Sequence, residues 1–499
     1  MSPAPSVTSG PLRLGDPAAI AELRETLLAA GFTGEGVRAA LGSAGELLSR
    51  SVDIPLHARR LRGVEPLGTL IKLLVLDKPV SADDARRGFA PLRLDSLEQL
   101  GLVERGGGEV RALVRIVPHD ELLIASDRRL ASGEETRPDH VAGVHGPSLT
   151  LSHLTVRRPV ETALDVGTGS GIQAILAARH SGHVVATDVS SRALNFAAFN
   201  AALNGVERIE LRAGSFFEPV EATRFGLVTC NPPYVISPES AYLFRDSGLA
   251  GDTVSRQVVE RIPAFLDEGA FAHVLVSWVV GADEEWSAPL RAWVEGNGCD
   301  AWLLHHGTDD PLAHAGNWLR HEVGPDPAAY ASALDRWLEY FERLRIEGIA
   351  SGAVILRRRS ATNWVRADEL SGDRLRPASD HILRVFAAGD FLSTLADPRA
   401  LLGERLTLAE HALLEQRVVY RRREWVTDEI VLTLQEGLGF RAALDSPTAG
   451  VLAALDGRRT LGEVADELAR LEGASRTSVE QAVLPVATGM LAAGFLDRA

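Results

Sequence analysis

The sequence predicts an α/β protein built on a doubly wound, mostly parallel sheet. A mostly helical, winged-helix-like domain precedes the sheet and an α+β domain follows it. Three observations carry this. Between about residues 146 and 360, apolar strands alternate with helical stretches, the rhythm of a parallel sheet covered on both faces. Before that, helical periodicity dominates and closes in a glycine-rich hairpin. After it, strands are followed by a run of helices. With 499 residues, about three domains are expected, with boundaries at 1–130, 131–360 and 361–499.

The elements follow in order. "MSPAPSVTSGPLRLGDP" reads as a short disordered lead without a charged-then-apolar signal pattern. "DPAAIAELRETLLAAG" predicts a helix capped by Asp16, with Pro17 in its first turn and Gly31 ending it. "LGTLIKLLVLDKPVSADDARRGFAPLRLDSLEQLGLVERGGGEVRALVRIVP" predicts three helices, a strand, a glycine turn and a second strand, the order of a winged helix. Arg86, Arg87 and Arg93 there offer a nucleic-acid face, weighed equally against a packing or protein-binding role. "GEETRPDHVAGVH" is a polar connector. Strands are then expected at "ETALDVG", "HVVATDV", "RIELRAG", "GLVTCN", "AHVLVSWVV", "CDAWLLHHG" and "SGAVILRRR". His305 and His306 are read as edge-strand residues, and Trp318 and Trp337 as core or lid of a helical insertion before the last strand. In the final region "DEIVLTLQEGLGFRAAL" predicts strands and "AGVLAALDGRRTLGEVADELARLEG" and "VLPVATGMLAAGFLDRA" predict helices, a second winged-helix-like arrangement. Arg417 and Arg421-Arg422-Arg423 are read as a solvated face.

Composition narrows the function classes. The chain is 45% apolar and 24% charged with a net charge of −15, which disfavours indiscriminate binding to polyanions. Two cysteines, Cys230 and Cys299, form no disulfide framework and no cysteine metal site. His140, His145 and His153 precede the sheet without a carboxylate or cysteine pattern that would make them metal ligands, so no metal is expected. No apolar run reaches the roughly 18 residues needed to span a bilayer. A cytoplasmic location and no membrane partner are expected.

Three motifs carry chemistry. "LDVGTGSGIQAILAARH" places Asp165, Gly167, Gly169 and Gly171 between the first strand and a helix. Glycines allow the tight turn and let a ligand approach the backbone, while the helix start offers unpaired N–H groups. Asp188 ends the second strand about 20 residues on, where a ribose diol needs acceptors. "NPPY", Asn231-Pro232-Pro233-Tyr234, ends the fourth strand. In a doubly wound sheet all three strand ends share one edge, where ligands bind.

Together "DVGTGSG", "ATDVS" and "NPPY" resemble the class I S-adenosylmethionine-dependent methyltransferases of the NPPY N-methyltransferase subgroup, over roughly residues 146–359. The resemblance implies a Rossmann-like seven-stranded sheet and S-adenosyl-L-methionine as cofactor. It further implies that Gly167, Gly169 and Gly171 line the methionine end, that Asp165 lies near the amino group, and that Asp188 holds the ribose. "AGSFFEPV" matches the adenine border, with Ser215 where many relatives carry Asp and Phe216 beside it. In "NPPY", the Asn231 side-chain oxygen and the Pro232 carbonyl would accept both hydrogens of a planar NH2, raising electron density on its nitrogen. Pro232 and Pro233 would hold the carbonyl still, and Tyr234 would give the acceptor a flat face. Arg245, Asp246 and Asp252 lie where relatives carry a substrate-side loop. The expected acceptor is a macromolecular planar NH2, a protein glutamine amide or an RNA base. A small-molecule acceptor is the alternative, and a non-enzymatic cofactor-binding regulator the remote one. "FFEPV" with "NPPYV" most resembles the release-factor glutamine methyltransferases, in the core alone.

Overall fold

The structure, a computed structural model, describes residues 10–42, 53–128, 137–239, 245–246, 248–320, 326–370 and 374–499. These residues form two compact units. One takes the described residues up to Leu151 together with Pro159–Glu369, and the other Ser152–Arg158 with Leu370–Ala499.

The centre of the first unit is an eight-stranded sheet. Its strands are β1 (Val160–Val166), β2 (Ser181–Asp188), β3 (Ile209–Ala213), β4 (Phe225–Cys230), β5 (Leu266–Val280), β6 (Cys299–Asp309), β7 (Gly348–Arg358) and β8 (Val365–Glu369). Across the sheet the order is β3-β2-β1-β4-β5-β7-β6-β8. All neighbours are parallel except β7, which runs against both β5 and β6. The seven expected strands are present. The eighth, β8, lies beyond the boundary expected near residue 360 and pairs with β6, with His305 opposite Glu369. The edge-strand reading of His305 is therefore corrected: β6 is covered on both sides. The strand was missed because "VRADE" is short and polar, and its pairing partner lies more than 60 residues away.

The N-terminal helices behave as their caps predict. Asp16 accepts from Ala19 N–H at 3.0 Å and the helix Pro17–Ala29 ends before Gly31, whose φ is +76°. Leu67–Leu74, Ala82–Gly88 and Leu94–Gln99 are the three helices of the winged-helix order, and Val103–Gly106 with Glu109–Ala112 is the wing, joined by Val80–Ser81. The expected disordered lead is corrected in its second half. Leu12 is buried, its N–H donates to Asn195 Oδ1 at 3.1 Å and its carbonyl accepts from Asn195 Nδ2 at 3.0 Å; the residues before Gly10 lie outside the described ones.

One helix explains why this part and the sheet form a single unit. Ser191–Leu203, between β2 and β3, contributes Ala193, Phe196, Phe199 and Leu203 to the core of the N-terminal helices. Its asparagines satisfy a strand edge. Asn200 accepts from Ala125 N–H at 2.7 Å and donates to Ala125 O at 2.8 Å; Asn204 does the same for Leu123 at 3.0 and 2.8 Å. Leu122–Ser126 is paired on its other edge with Arg115–His119. A primary amide presents one acceptor and two donors, so it completes a ladder as a strand would.

The second unit packs the helix Ser379–Thr394 with two three-stranded sheets. The helical stretch expected from Ala449 on is corrected: it divides into the helix Ser446–Ala454, the strand Asp456–Thr460 and the helix Leu461–Glu472, which a Thr460/Glu463 capping box opens, while Arg476–Ala492 is helical as expected. The closing strand Leu496–Arg498 pairs with Arg405–Leu408, which also pairs with Asp456–Thr460, so no hairpin wing is formed there. Ala412–Arg421 and Glu424–Leu434 form a long antiparallel ribbon. Among the described residues no helix is long and apolar enough to cross a membrane.

Candidate active site

The chain reverses its progress across the sheet between β1 and β4, and a cavity of about 300 Å³ opens at the carboxyl ends of these strands. Asp165, Gly167, Gly169, Asp188, Ser215, Phe216, Asn231 and Pro233 line it. Gly171, Pro232 and Tyr234 are not among its lining residues. Register places these groups together: Asp165 of β1 is level with Thr229 of β4 and Val166 with Cys230, so Gly167 and Asn231 leave the sheet side by side.

The glycine loop is held from two sides. Thr168 N–H donates to Thr187 O at 2.9 Å, and Gly169 N–H donates to Asp188 Oδ2 at 2.9 Å. The other Asp188 oxygen accepts from Ser190 N–H at 2.8 Å. Burial raises the Asp188 carboxyl pKa. Each carboxylate oxygen retains a second lone-pair direction, which suits a diol. Gly167 and Gly169 have φ of +69° and +55° and open space where a Cβ would stand, a cradle for a ligand against the backbone. Gly171 is glycine for another reason: a Cβ there would lie 2.9 Å from Ala197 Cα of the helix Ser191–Leu203.

Asp165 is fully enclosed, accepting from Thr168 Oγ1 at 2.7 Å and Thr229 Oγ1 at 2.9 Å. Burial outweighs those two hydrogen bonds and pushes its pKa up to about 6. Such a carboxyl gains from a cationic partner, and an amino group is one. Ser215 N–H donates to Glu218 Oε2 at 3.2 Å, and Phe216 sits at φ +46°. Glu218 itself is exposed and is not among the residues lining the cavity. Asn231 is half-buried, and its side chain makes no hydrogen bond among the described residues. Burial pushes the Tyr234 phenol up to about 12.

Further residues join the wall that motif reading did not assign. His140 and His145 line the cavity, as a connector draped over it would; burial lowers both pKa values. The drape is tied down at Asp127, which accepts from Val141 N–H at 2.8 Å and from Arg192 Nε at 2.9 Å. His153 is not part of the wall. Among the described residues no group of histidines, cysteines and carboxylates could hold a metal ion. Asp246 also lines the cavity, gripped by Arg245 at 2.6 and 2.9 Å and by Ser237 Oγ at 3.1 Å. The expected substrate-side segment lies partly outside the described residues. Asp252 stands at the N-cap position of the next helix without a side-chain capping bond and accepts instead from Val279 N–H at 3.1 Å. Trp337 and Tyr340, on the helical insertion Pro327–Leu344, pack with Val235 and Ile236 directly after "NPPY". The sequence signals for these were the histidine-bearing stretch "HVAGVHGPSLTLSHL" before the glycine loop, the charged segment "LFRDSGLAGD" after "NPPY", and Trp337 in the insertion; Asp127 and Arg192 carried none.

Comparison with known proteins agrees with this geometry. The family model of the methyltransferase small domain matches residues 144–244, and two models of domains of unknown function, DUF7059 and DUF7782, match residues 29–113 and 384–498. The chain is 33% identical over 147 residues to the release factor glutamine methyltransferase of Xylella fastidiosa, covering 26% of this chain and 51% of that protein. It is 42% identical over 120 residues to the ribosomal protein uL3 glutamine methyltransferase of Bordetella pertussis, covering 22% and 40%. The chain spans about half, or less, of the length of these curated relatives. The sheet order, the glycine loop and the matched segment define the core as a class I S-adenosylmethionine-dependent methyltransferase domain. Within that class its likeness to the glutamine methyltransferases is confined to this core, and the flanking regions match the two uncharacterised domains.

Proposed function

We propose that the protein is an S-adenosylmethionine-dependent N-methyltransferase acting on a planar NH2 nitrogen, and that the nitrogen is a glutamine amide of a protein. The observation that carries this is the juxtaposition of Asn231 with the glycine loop and Asp188 around one cavity. The residues fit the cofactor. Gly167 and Gly169 would leave room for its backbone approach, Asp188 would offer lone pairs to the ribose hydroxyls, and Asp165 would hold the amino group. Bound there, S-adenosylmethionine supplies a methyl group on a sulfonium.

The chain's own groups prepare the nucleophile. Asn231 Oδ1 and the Pro232 carbonyl accept the two N–H hydrogens, and the adjacent prolines hold that carbonyl rigid, so little reorganisation is needed as nitrogen becomes pyramidal. Tyr234 stays neutral at any physiological pH and supports the amide plane. No general base is required, because the methylated nitrogen sheds its proton after transfer.

The two relatives described above are named as glutamine methyltransferases, which supports a protein acceptor. The winged-helix arginines support it too. Arg86 and Arg87 pair with Asp83 and Asp84, and Arg93 with Asp95 at 3.2 Å, so this face is not a basic stripe. The test incubates the protein, methyl-tritiated S-adenosylmethionine and a cell extract, then separates protein, RNA and small-molecule fractions. Label is expected in protein and released as methylamine on acid hydrolysis. Label confined to RNA or to small molecules overturns the acceptor assignment.

A further inference from the structure

The long ribbon of the second unit has a tip that its fold does not explain. From Arg417 to Glu429 every residue except Val419 is exposed, although the Asp428 side chain is tucked between its arginines. Tyr420 and Trp425 face each other across the strands with ring centroids 5.3 Å apart and planes tilted by 55°. They are 60% and 70% exposed, so neither ring hides the other's face. Val418, 48% exposed, extends the same apolar face. Large aromatics left in water on a two-sided ribbon mark a contact surface rather than a core.

The turn adds a second, independent sign. Arg422 and Arg423 have φ of +50° and +70°. A two-residue hairpin turn with both central residues at positive φ favours Asn-Gly, and an L-residue with a long side chain is strained there. Two arginines hold these positions despite that strain. Arg417 pairs with Asp428 at 2.6 Å and with Glu429 at 3.5 Å, and Arg421 with Asp428 at 2.9 Å. Arg422 and Arg423 form no ion pair among the described residues, and Glu424 stands opposite Arg421. The apex therefore carries two available guanidinium groups beside an open indole face, on a chain whose net charge is −15.

We propose that this tip binds single-stranded RNA, with Arg422 and Arg423 on phosphates and a base stacked on Trp425. Guanidinium groups match phosphate oxygens bidentately. An exposed indole needs an unstacked base, which RNA loops and ends provide and duplexes do not. The acidic remainder of the chain confines the contact to the apex. The proposal stands apart from the methyl-acceptor assignment, since it concerns the ribbon alone.

The test is anisotropy of a fluorescent 12-nucleotide oligouridylate with the full-length protein over a salt series. The variant R422N/R423G removes both guanidinium groups while installing the residues this turn prefers, so its melting temperature is expected to hold or rise. Its RNA affinity is expected to fall, and its log–log salt slope to shrink by about 1.4, at about 0.7 per phosphate contact on a single strand. Trp425→Ala is expected to lose roughly tenfold in affinity or more through stacking, with the slope unchanged. Unaltered affinity and slope in R422N/R423G overturn the proposal. So does competition by polyglutamate as effective as by RNA, which assigns the tip to an acidic protein, or equal binding of duplex RNA.

Discussion

Asn200→Ala removes the group that joins the N-terminal part to the cofactor loop. Besides its two bonds to Ala125, the Asn200 amide donates to Ser170 O at 2.8 Å, within the glycine loop. Asn200 is fully buried, so its truncation leaves the Ala125 N–H, the Ala125 carbonyl and the Ser170 carbonyl without that partner. A buried backbone group stripped of its partner costs about 1–3 kcal/mol. Taking the low end for each gives a loss of about 3 kcal/mol, a factor of roughly 150 in the unfolding equilibrium. Asn200→Asp is expected to cost at least as much, because it buries a charge against two carbonyl oxygens. Asn204→Ala, at the helix end and half-buried, is expected to cost about 1 kcal/mol. Urea unfolding followed by tryptophan fluorescence reads all three, and calorimetry with S-adenosylhomocysteine reads the loop, where Asn200→Ala is expected to weaken binding. A loss below about 1 kcal/mol for Asn200→Ala, or one no larger than for Asn204→Ala, would refute the view that this amide replaces a strand.

Other outcomes follow from the site. Asn231→Ala is expected to abolish methyl transfer while S-adenosylhomocysteine affinity stays near normal; near-normal turnover would sink the NH2-acceptor mechanism. Asp165 has a folded pKa of about 6 against an ordinary 3.8, so between those values the ligand-free protein holds an extra proton and its stability falls as pH rises. An ammonium-bearing ligand needs the ionised form, so cofactor affinity is expected to drop about tenfold per pH unit below about 6. Asp165→Asn is expected to flatten that profile; titration calorimetry from pH 5 to 8 decides. Gly171→Ala, strained at φ +82° and pressed on Ala197, is expected to lower the melting temperature sharply. Gly169→Ala, which faces open space, is expected to spare stability more and to damage cofactor affinity; equal effects on both readouts would contradict the two roles.

The sequence by itself determined the seven alternating strands, the glycine loop, Asp188 and "NPPY", because each rests on local chemistry: apolar periodicity, turn glycines and prolines, and caps such as Asp16. It also placed three motifs on one sheet edge, since parallel connectivity leaves all those strand ends together. Tertiary structure alone decided what depends on distant partners. The short polar strand β8 exists because β6 offers it an edge. Asn200 and Asn204 look like ordinary residues of a helix and its end until the Leu122–Ser126 edge meets them. Gly171 reads as a ligand glycine in the motif, yet it is Ala197 packed against it that forbids a side chain. Asp127 acquires its place only from Arg192, and Asp246, beside Arg245 in the chain, from Ser237 as well, groups that folding brings to them.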